Sequence, residues 1–416
     1  MKRALALKWR IAAMLAAAAA LNYADRAAIS SVLAPLRHDL GLSDVALGSL
    51  GSFFLWSYSL ASPVSGVLAD RCSRSRLVAI SLAAWSLVTI GTGLASGLGM
   101  LLAMRVLLGV FESMYLPAAT ALLAAHHQTS TRGTAMGLHS VGLNFGVVAG
   151  GTFAGYFADR FGWRSGFWVL GAAGLLIAVA AARVLSDGPS RPGGMPPARV
   201  PLKAGLWRLA RIPSYLILLV KAMLAGIGIW IFLTWLPLYF RDEFGMNLAA
   251  AGFAGAFMLQ VSTVIGIGAG GWLSDRFATR QLRNRMLFQS LTYLAAAPFL
   301  LLFMGKPGFA TVAFAVSLFS LLRGMGQSNE NPTLCDVVPP ELRSTAIGIM
   351  NTCATAAGGA GVLLAAVMKS GLGLATVFAA ISSVFVVAGL FLLAGYRFFM
   401  TRDIARAAQG SLTLAR

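Results

Sequence analysis

Apolar residues gather into runs of 20 or more positions separated by short polar connections. The runs lie at 9–36, 46–69, 77–97, 99–125, 133–158 and 165–185, then at 214–240, 249–274, 286–305, 309–337, 344–368 and 373–398. About 20 apolar residues in helical form cross a hydrocarbon core about 30 Å thick, so each run predicts one transmembrane helix. Between the two sets of six, Ser186 to Arg211 contains SDGPSRPGGMPPARVP, whose Pro, Gly and Arg content forms no buried helix and reads as a flexible cytoplasmic linker. The expected organisation is a six-helix bundle over 1–185, a linker over 186–212, a second six-helix bundle over 213–400 and a cytoplasmic tail over 401–416. The first run is too long for a removable signal peptide, carries Asp25 and Arg26, and is followed by many further spans.

Composition fixes the class. The 416 residues are 58% hydrophobic and 11% charged, with a mean hydropathy of +0.77, where a soluble domain carries about 25% charged residues. So few charges leave nowhere for a large water-facing surface, and the expected fold class is an all-α membrane protein. The net charge of +19 invites a nucleic-acid reading, but its distribution argues against one. Lys2, Arg3, Lys8 and Arg10 open the chain; Arg71, Arg74 and Arg76 follow the second run and Arg132 the fourth. Arg191, Arg199, Lys203, Arg208 and Arg211 fill the middle, Arg276, Arg280, Arg283 and Arg285 follow the eighth run, and Arg402, Arg406 and Arg416 close the tail. Bases in alternate connections follow the positive-inside rule and place both termini and the central loop in the cytoplasm of a bacterial-type inner membrane. A nucleic-acid partner would want a basic patch interleaved with exposed aromatics, and none is expected. Cys72, Cys335 and Cys353 show no metal-ligand spacing and read as small membrane-core hydrophobes.

The two sets of runs repeat each other. Gly66-Val-Leu-Ala-Asp70-Arg71 leaves the second run and Gly271-Trp-Leu-Ser-Asp275-Arg276 the eighth, both at an offset of 205 residues; Arg132-Gly-Thr-Ala-Met-Gly137 is echoed by Arg343-Ser-Thr-Ala-Ile-Gly348. A duplicated six-helix unit accounts for both echoes, and 46 glycines suit close helix packing in lipid. Gly66-x-Leu-Ala-Asp70-Arg71-x-Ser-Arg74-Ser-Arg76 resembles the loop motif of the major facilitator family. With its second copy, the resemblance covers nearly the whole chain. It implies twelve transmembrane helices in two pseudo-symmetric bundles, and a conformational latch at Asp70, Arg71, Arg74, Asp275 and Arg276. The bland alternative is that the aspartates fix loop geometry.

Charges inside the runs carry the functional signal. A charge at the centre of a membrane helix costs roughly 2.5–3.5 kcal/mol on insertion scales, so each intramembrane ionisable group is a candidate site. Counting inward at about 1.5 Å per residue, the deep ones are Asp25, Arg26, Arg105, Glu112 and Arg323, with Glu330 nearer the cytoplasm. Arg105 and Glu112 are seven positions apart and share a helix face; Asp25 and Arg26 point about 100° apart. A buried carboxyl can load a proton because its surroundings penalise charge, and a guanidinium can hold an anion bidentately. Acid with arginine in one cavity suits an anion–proton symporter; the alternative is a set of structural ion pairs.

Asn22-Tyr23-Ala-Asp25-Arg26, Arg105-x6-Glu112-x4-Pro117-Ala118 and Thr234-Trp-Leu-Pro237-Leu-Tyr239 resemble the anion:cation symporter branch of that family, which includes galactonate, hexuronate and phthalate carriers. The resemblance implies uptake of a small organic anion, such as a sugar acid, with protons. Arg26 would bind the substrate carboxylate, Asp25 and Glu112 would exchange protons, and Tyr23 and Tyr58 would line the site. Spinster-like lipid transporters share the span-1 pattern and a span-4 glutamate, so proton-antiport efflux of lipids or amphiphiles is the alternative. In the second set, Gln327-Ser-Asn329-Glu330-Asn331-Pro332 is unusually polar. Aligning Pro332 with Pro117 sets Gln327 opposite Glu112, so Gln327 is a candidate for substrate hydroxyls. Glu330 is either a further proton site or an ion-pair partner near the cytoplasmic gate. Arg105, Asn351 and Arg323 are further candidate ligands. His139 reads as a proton relay or a histidine bonded to a backbone carbonyl, Asn144 as a cavity or packing amide, and Lys221 as a side chain snorkelling to the cytoplasmic interface. No Walker loop, metal cluster or nucleophile elbow is present in the sequence. The chain is therefore expected to be no enzyme, to use no cofactor beyond the proton gradient, and to act as a monomer in the bilayer.

Overall fold

The computed structural model describes residues 2–187, 202–278 and 281–413. The Pro/Gly-rich stretch 188–201 and the basic positions Arg191, Arg199, Arg280 and Arg416 lie outside the described residues, as do the side chains of Lys2 and Arg3. The first predicted run forms α1 (Lys2–Ser31) and, after a break at Val32, α2 (Leu33–Leu40). Then follow α3 (Asp44–Arg71), α4 (Arg74–Gly93), α5 (Leu98–Ser113), α6 (Tyr115–His126), α7 (Thr129–Phe161) and α8 (Trp163–Val184). The second set comprises α9 (Leu202–Ala210), α10 (Pro213–Phe244), α11 (Leu248–Ala278), α12 (Asn284–Ala296) with a 3-10 extension to Phe303, α13 (Phe309–Gln327), α14 (Glu330–Val337), α15 (Arg343–Phe398) and α16 (Met400–Thr413). Serine caps set the entries of α3 and α4: Ser43 Oγ accepts from the Ala46 amide and Ser73 Oγ from the Arg76 amide.

Among the described residues, 10 segments are long and apolar enough to cross a membrane. One of them, Pro340–Phe398, turns at Gly373 (φ 76°, ψ 160°) and so supplies the eleventh and twelfth expected passes. The remaining pass is α1, whose apolar character Asp25 and Arg26 lower. Pass 4 and pass 10 each break at the same relative place, between α5 and α6 at Met114 and between α13 and α14 at Ser328–Asn329. Pro117 and Pro332, three to four residues downstream, remove the amide that would bond the preceding turn.

Two segments expected to be plain connections are helical. α9 turns Gly205 and Leu209 inward, and α16 buries Met400 and Asp403. Leu209 and Met400 join Tyr215, Val337 and Leu342 in one core cluster. The Pro- and Gly-rich stretch of the linker stands next to this four-residue spacing, which lies at its end.

The chain forms two compact units. One is Met1–Gly193 with Phe232–Phe257 and Val362–Val367; the other is Gly194–Ile231 with Met258–Gly361 and Met368–Arg416. Within the first, α1 and α7 run side by side through a stripe of small residues. Gly142, Gly146 and Gly150 face Ala16, Ala20 and Ala24, and a Cβ on any of the three would overlap α1. This approach fixes α1 where it carries Asp25 and Arg26.

Aspartates close three helix starts. Asp187 Oδ1 accepts from the Ser75 amide at 2.7 Å at the start of α4. Asp403 Oδ2 accepts from the Ser214 amide at 3.0 Å at the start of α10. Asp159 accepts from the Leu248 and Ala249 amides at 3.3 and 3.1 Å at the start of α11, where Asn247 caps Ala250. Asp159 ends Gly155-Tyr-Phe-Ala-Asp159-Arg160, a third occurrence of the Gly66–Arg71 pattern, here closing a helix end within the first unit.

Gly146→Val forces α1 away from α7, whereas Gly137, with nothing within 4 Å of its Cβ position, accepts valine. Size-exclusion chromatography and thermal unfolding in detergent are expected to show loss of monodisperse protein for Gly146→Val alone. A second outcome concerns pH. Partial burial opposes ionisation of Asp187, but hydrogen bonds from Ser73 and Ser75 and the charge of Arg74 outweigh it and hold the carboxyl below its usual 3.8. Because the folded value is depressed, the α4 cap is complete above pH 3.8 and is lost as pH falls through the lower folded value. Protection of the Ser75 amide against exchange, relative to its intrinsic rate, is expected to fall only in that acid range.

Candidate functional site

The first unit holds four buried charges. Asp25 and Arg105 are each 1% exposed and Glu112 is fully buried. Arg26 Nε donates to Glu112 Oε2 at 2.7 Å. Three rings surround its guanidinium, Tyr58 at 4.5 Å, Tyr23 at 4.6 Å and Phe54 at 5.2 Å from the ring centroids. Cation–π contact of this kind gains strength once water is excluded. Glu112 stands two residues before the α5–α6 boundary at Met114.

Asp25, one position along α1, faces the other side of the cluster. Arg105 and Glu112 lie within electrostatic reach of it, with Thr89 and Trp85 beside it. Among the described residues Arg105 Nε and Nη2 have no hydrogen-bond partner. Behind the cluster, Tyr115 Oη donates to the Leu15 carbonyl at 2.5 Å and meets His139 Nε2 at 3.0 Å. His139 therefore bonds a tyrosine that itself binds a backbone carbonyl, an arrangement that holds α1, α6 and α7 together. Asn144 Nδ2 donates to the Ser140 carbonyl one turn back, at 2.8 Å.

The second unit holds its own buried polar cluster. Lys221 is fully buried, with Nζ 3.2 Å from Glu330 Oε1 and 5.4 Å from the Tyr293 ring centroid. This corrects the expectation of a lysine snorkelling to the interface: with Glu330 as an ion partner inside the bundle, its ammonium has no reason to seek water. Glu330 is thus the ion partner of Lys221. Arg323, 6% exposed, donates from Nη1 to Gln327 Oε1 and from Nη2 to Thr263 Oγ1, both at 2.9 Å. Gln289 binds the Asn329 carbonyl and Thr333 across the α13–α14 break, and Ser274 bonds Asn329. Asn351 is exposed on α15, where its carbonyl accepts from Thr355.

The loop-motif residues are at helix ends and exposed in part. Arg74 Nε donates to the Ala69 carbonyl at 3.3 Å; Asp70 and Arg71 are exposed. In the second copy, Asp275 lies 3.6 Å from Arg285, which also binds Asp336 at 3.1 Å, while Arg276 stacks 3.6 Å over Trp272.

A family model described as Major Facilitator Superfamily matches residues 15–362. The chain belongs to the Major Facilitator Superfamily. Within this superfamily it is 30% identical over 296 residues, 65% of each chain, to the "Probable galactarate/D-glucarate transporter GudP" of Bacillus subtilis (strain 168). It is 28% identical over 353 residues to the "Probable anion transporter 4, chloroplastic" of Oryza sativa subsp. japonica, covering 80% of this chain and 59% of that one. The chain thus spans less than two thirds of the length of these curated relatives. Among solved structures, a bacterial homologue of the human lysosomal transporter Spinster in an inward-facing, unoccupied conformation superposes with a TM-score of 0.77 at 20% identity, over 96% of this chain and 98% of that one. That likeness concerns the superfamily fold. These curated relatives are named as transporters.

Sequence reading missed Lys221 as a site residue, and it missed Thr263 and Tyr293 altogether. Eight positions from Pro213 at about 1.5 Å each puts Lys221 about 12 Å into its helix, a depth that could have flagged it. Removing one member of a buried pair strands the other charge, which costs about 3–5 kcal/mol. Arg26→Ala is expected to lower the unfolding temperature markedly, and Arg26→Ala with Glu112→Gln to recover most of the loss. Thermal unfolding of the singles and the double in detergent checks this.

Proposed function

We propose that this chain imports a small organic anion together with protons, and that Arg26 and Glu112 are the coupled pair. The observation carrying the reading is the buried Arg26–Glu112 contact at 2.7 Å, with Arg26 boxed by Tyr23, Tyr58 and Phe54. An incoming carboxylate and the Glu112 carboxylate compete for one guanidinium fork. When the substrate takes Arg26, Glu112 is left as a buried charge without its partner, a state that a proton relieves. Substrate binding and proton uptake then favour each other. Asp25, buried beside Arg105 with Thr89 and Trp85 next to it, is the second proton-exchanging acid. Tyr23 and Tyr58 line the substrate position, and Arg105 keeps the acids within a compensating field; in the second unit, Gln327 and Asn351 are candidate amides for hydroxyl groups.

The relatives named for galactarate, glucarate and anions support a carboxylate as the solute class. The basic residues in alternate connections support a bacterial-type inner membrane with both termini in the cytoplasm. Asp70, Arg71, Arg74, Asp275 and Arg276, at helix ends, suit a latch made and broken during alternating access. Energy comes from the proton gradient, and one chain suffices as the carrier. The membrane potential, about 2.3 kcal/mol per charge per 100 mV, helps import only when protons outnumber the solute's negative charges. The alternative is proton-antiport efflux of lipids or amphiphiles, in keeping with the Spinster-like fold neighbour.

Proteoliposomes with an alkaline interior are expected to accumulate a sugar acid and to acidify as they do so. Arg26→Ala should abolish saturable uptake. Glu112→Gln should lose accumulation against a gradient while still exchanging internal for external solute. Saturable uptake intact in Arg26→Ala sinks the reading, and proton loss driven by amphiphiles instead of acids transfers it to the alternative.

A further inference from the structure

A cavity of about 210 Å³ opens within the second unit where α9, the chain leaving α14, and α16 meet. Its apolar wall includes Val337 and Leu342 of the core cluster, and Arg208, Arg211 and Arg406 line it as well, with Asp403 as a carboxylate among them. Both acids near these bases are already engaged. Asp403 Oδ2 accepts from the Ser214 amide at 3.0 Å, and its Oδ1 lies 3.6 Å from Arg402 Nε. Glu341 Oε1 accepts from Arg208 Nη2 at 3.0 Å. Arg211 and Arg406 are exposed and form no ion pair among the described residues. Four arginines against two acids thus leave two positive charges at this cavity without a counter-ion.

Arg211 is held ready for an oxyanion. Its guanidinium lies 3.1 Å from the centroid of the Trp207 ring. Stacking on an indole occupies the face of a guanidinium and leaves its N–H edge for a phosphate or carboxylate. The other side of α9 indicates where that anion comes from. Gly205 and Leu209 turn inward, while Lys203, Leu206, Trp207 and Ala210 share the outward face. Leu206 is 42% and Trp207 59% exposed. α9 ends three residues before the membrane-crossing α10 begins, so this face stands at the membrane surface. A short helix there with a lysine beside exposed leucine and tryptophan suits the headgroup layer, with apolar groups towards acyl chains and cations at phosphates. A free anion would use the arginines and leave the Leu206–Trp207 pair in water.

We propose that this cavity binds the phosphate headgroup of an acidic phospholipid. Arg211 and Arg406 are its ligands, Trp207 orients Arg211, and Leu206 and Trp207 lie against the acyl chains. A basic pocket at the membrane surface between helices is the setting in which acidic headgroups bind. The site is separate from the buried charges of either unit and does not depend on which solute the chain carries.

Native mass spectrometry of the full chain in detergent, titrated with phosphatidylglycerol or phosphatidylcholine, tests this. The wild type is expected to retain phosphatidylglycerol with an affinity about tenfold or more above that for phosphatidylcholine. Arg211→Gln combined with Arg406→Gln, both at exposed positions, should weaken phosphatidylglycerol about 10- to 30-fold. Trp207→Ala should weaken it by less. Arg76→Gln, at an exposed base of the first unit, should change it by less than about twofold. Phosphatidylglycerol with brominated acyl chains should quench the part of the tryptophan emission that Trp207→Phe removes. Equal affinity for the two lipids, or equal losses in Arg76→Gln and the double variant, would overturn the proposal in favour of general attraction between acidic lipid and a basic protein. Displacement of the lipid by millimolar inorganic phosphate would overturn it in favour of a free anion.

Discussion

A guanidinium and a carboxylate 2.7 Å apart inside an apolar helical bundle are the constraint around which the first unit is arranged. Neither Arg26 nor Glu112 is tolerable alone in such surroundings, so the two helices that carry them must be held in fixed register. The small-residue stripe between α1 and α7 supplies one side of that register, with Ala16, Ala20 and Ala24 against Gly142, Gly146 and Gly150. Tyr115 supplies another, tying α6 to the Leu15 carbonyl of α1 and to His139 of α7. The aromatic box of Tyr23, Tyr58 and Phe54 then leaves Arg26 with a face that tolerates charge without water.

The second unit solves the same problem differently. Its bases outnumber its acids, and a lysine rather than an arginine takes the glutamate. Breaks at Met114 and at Ser328–Asn329 fall at matching places in passes 4 and 10, each set by a downstream proline, so the duplicated architecture keeps the kinks while the charges beside them diverge. Glu112 lies two residues before its break and Gln327 one residue before the other. An acid in one copy stands where an amide stands in the second, and that exchange moves the negative charge to Glu330.

Much of this was legible in the chain itself. Twelve apolar runs, the paired Gly66–Arg71 and Gly271–Arg276 segments and the deep charges pointed to the fold and to Asp25, Arg26, Arg105 and Glu112, because insertion energetics make each such charge conspicuous. Partner identity was less legible. Lys221 looked like an interfacial lysine because its neighbours in sequence are apolar and its ion partner is 109 positions away. Thr263 is an unremarkable residue until the glycines of α11 and α13 close the gap to Arg323. The capping role of Asp159 was hidden for the same reason: its target amides at Leu248 and Ala249 are distant in sequence, although its Gly-x-x-Ala-Asp-Arg pattern was there to be compared with Gly66–Arg71.

In the proposed coupling, a substrate carboxylate displaces Glu112 from Arg26 and the displaced acid takes a proton. Calorimetry on the purified protein, binding a transported acid in buffers of differing ionisation heat, reads this without any transport step. Binding is expected to draw protons from solution in the wild type, and Glu112→Gln to draw fewer while still binding. Binding heats independent of the buffer in the wild type would contradict it.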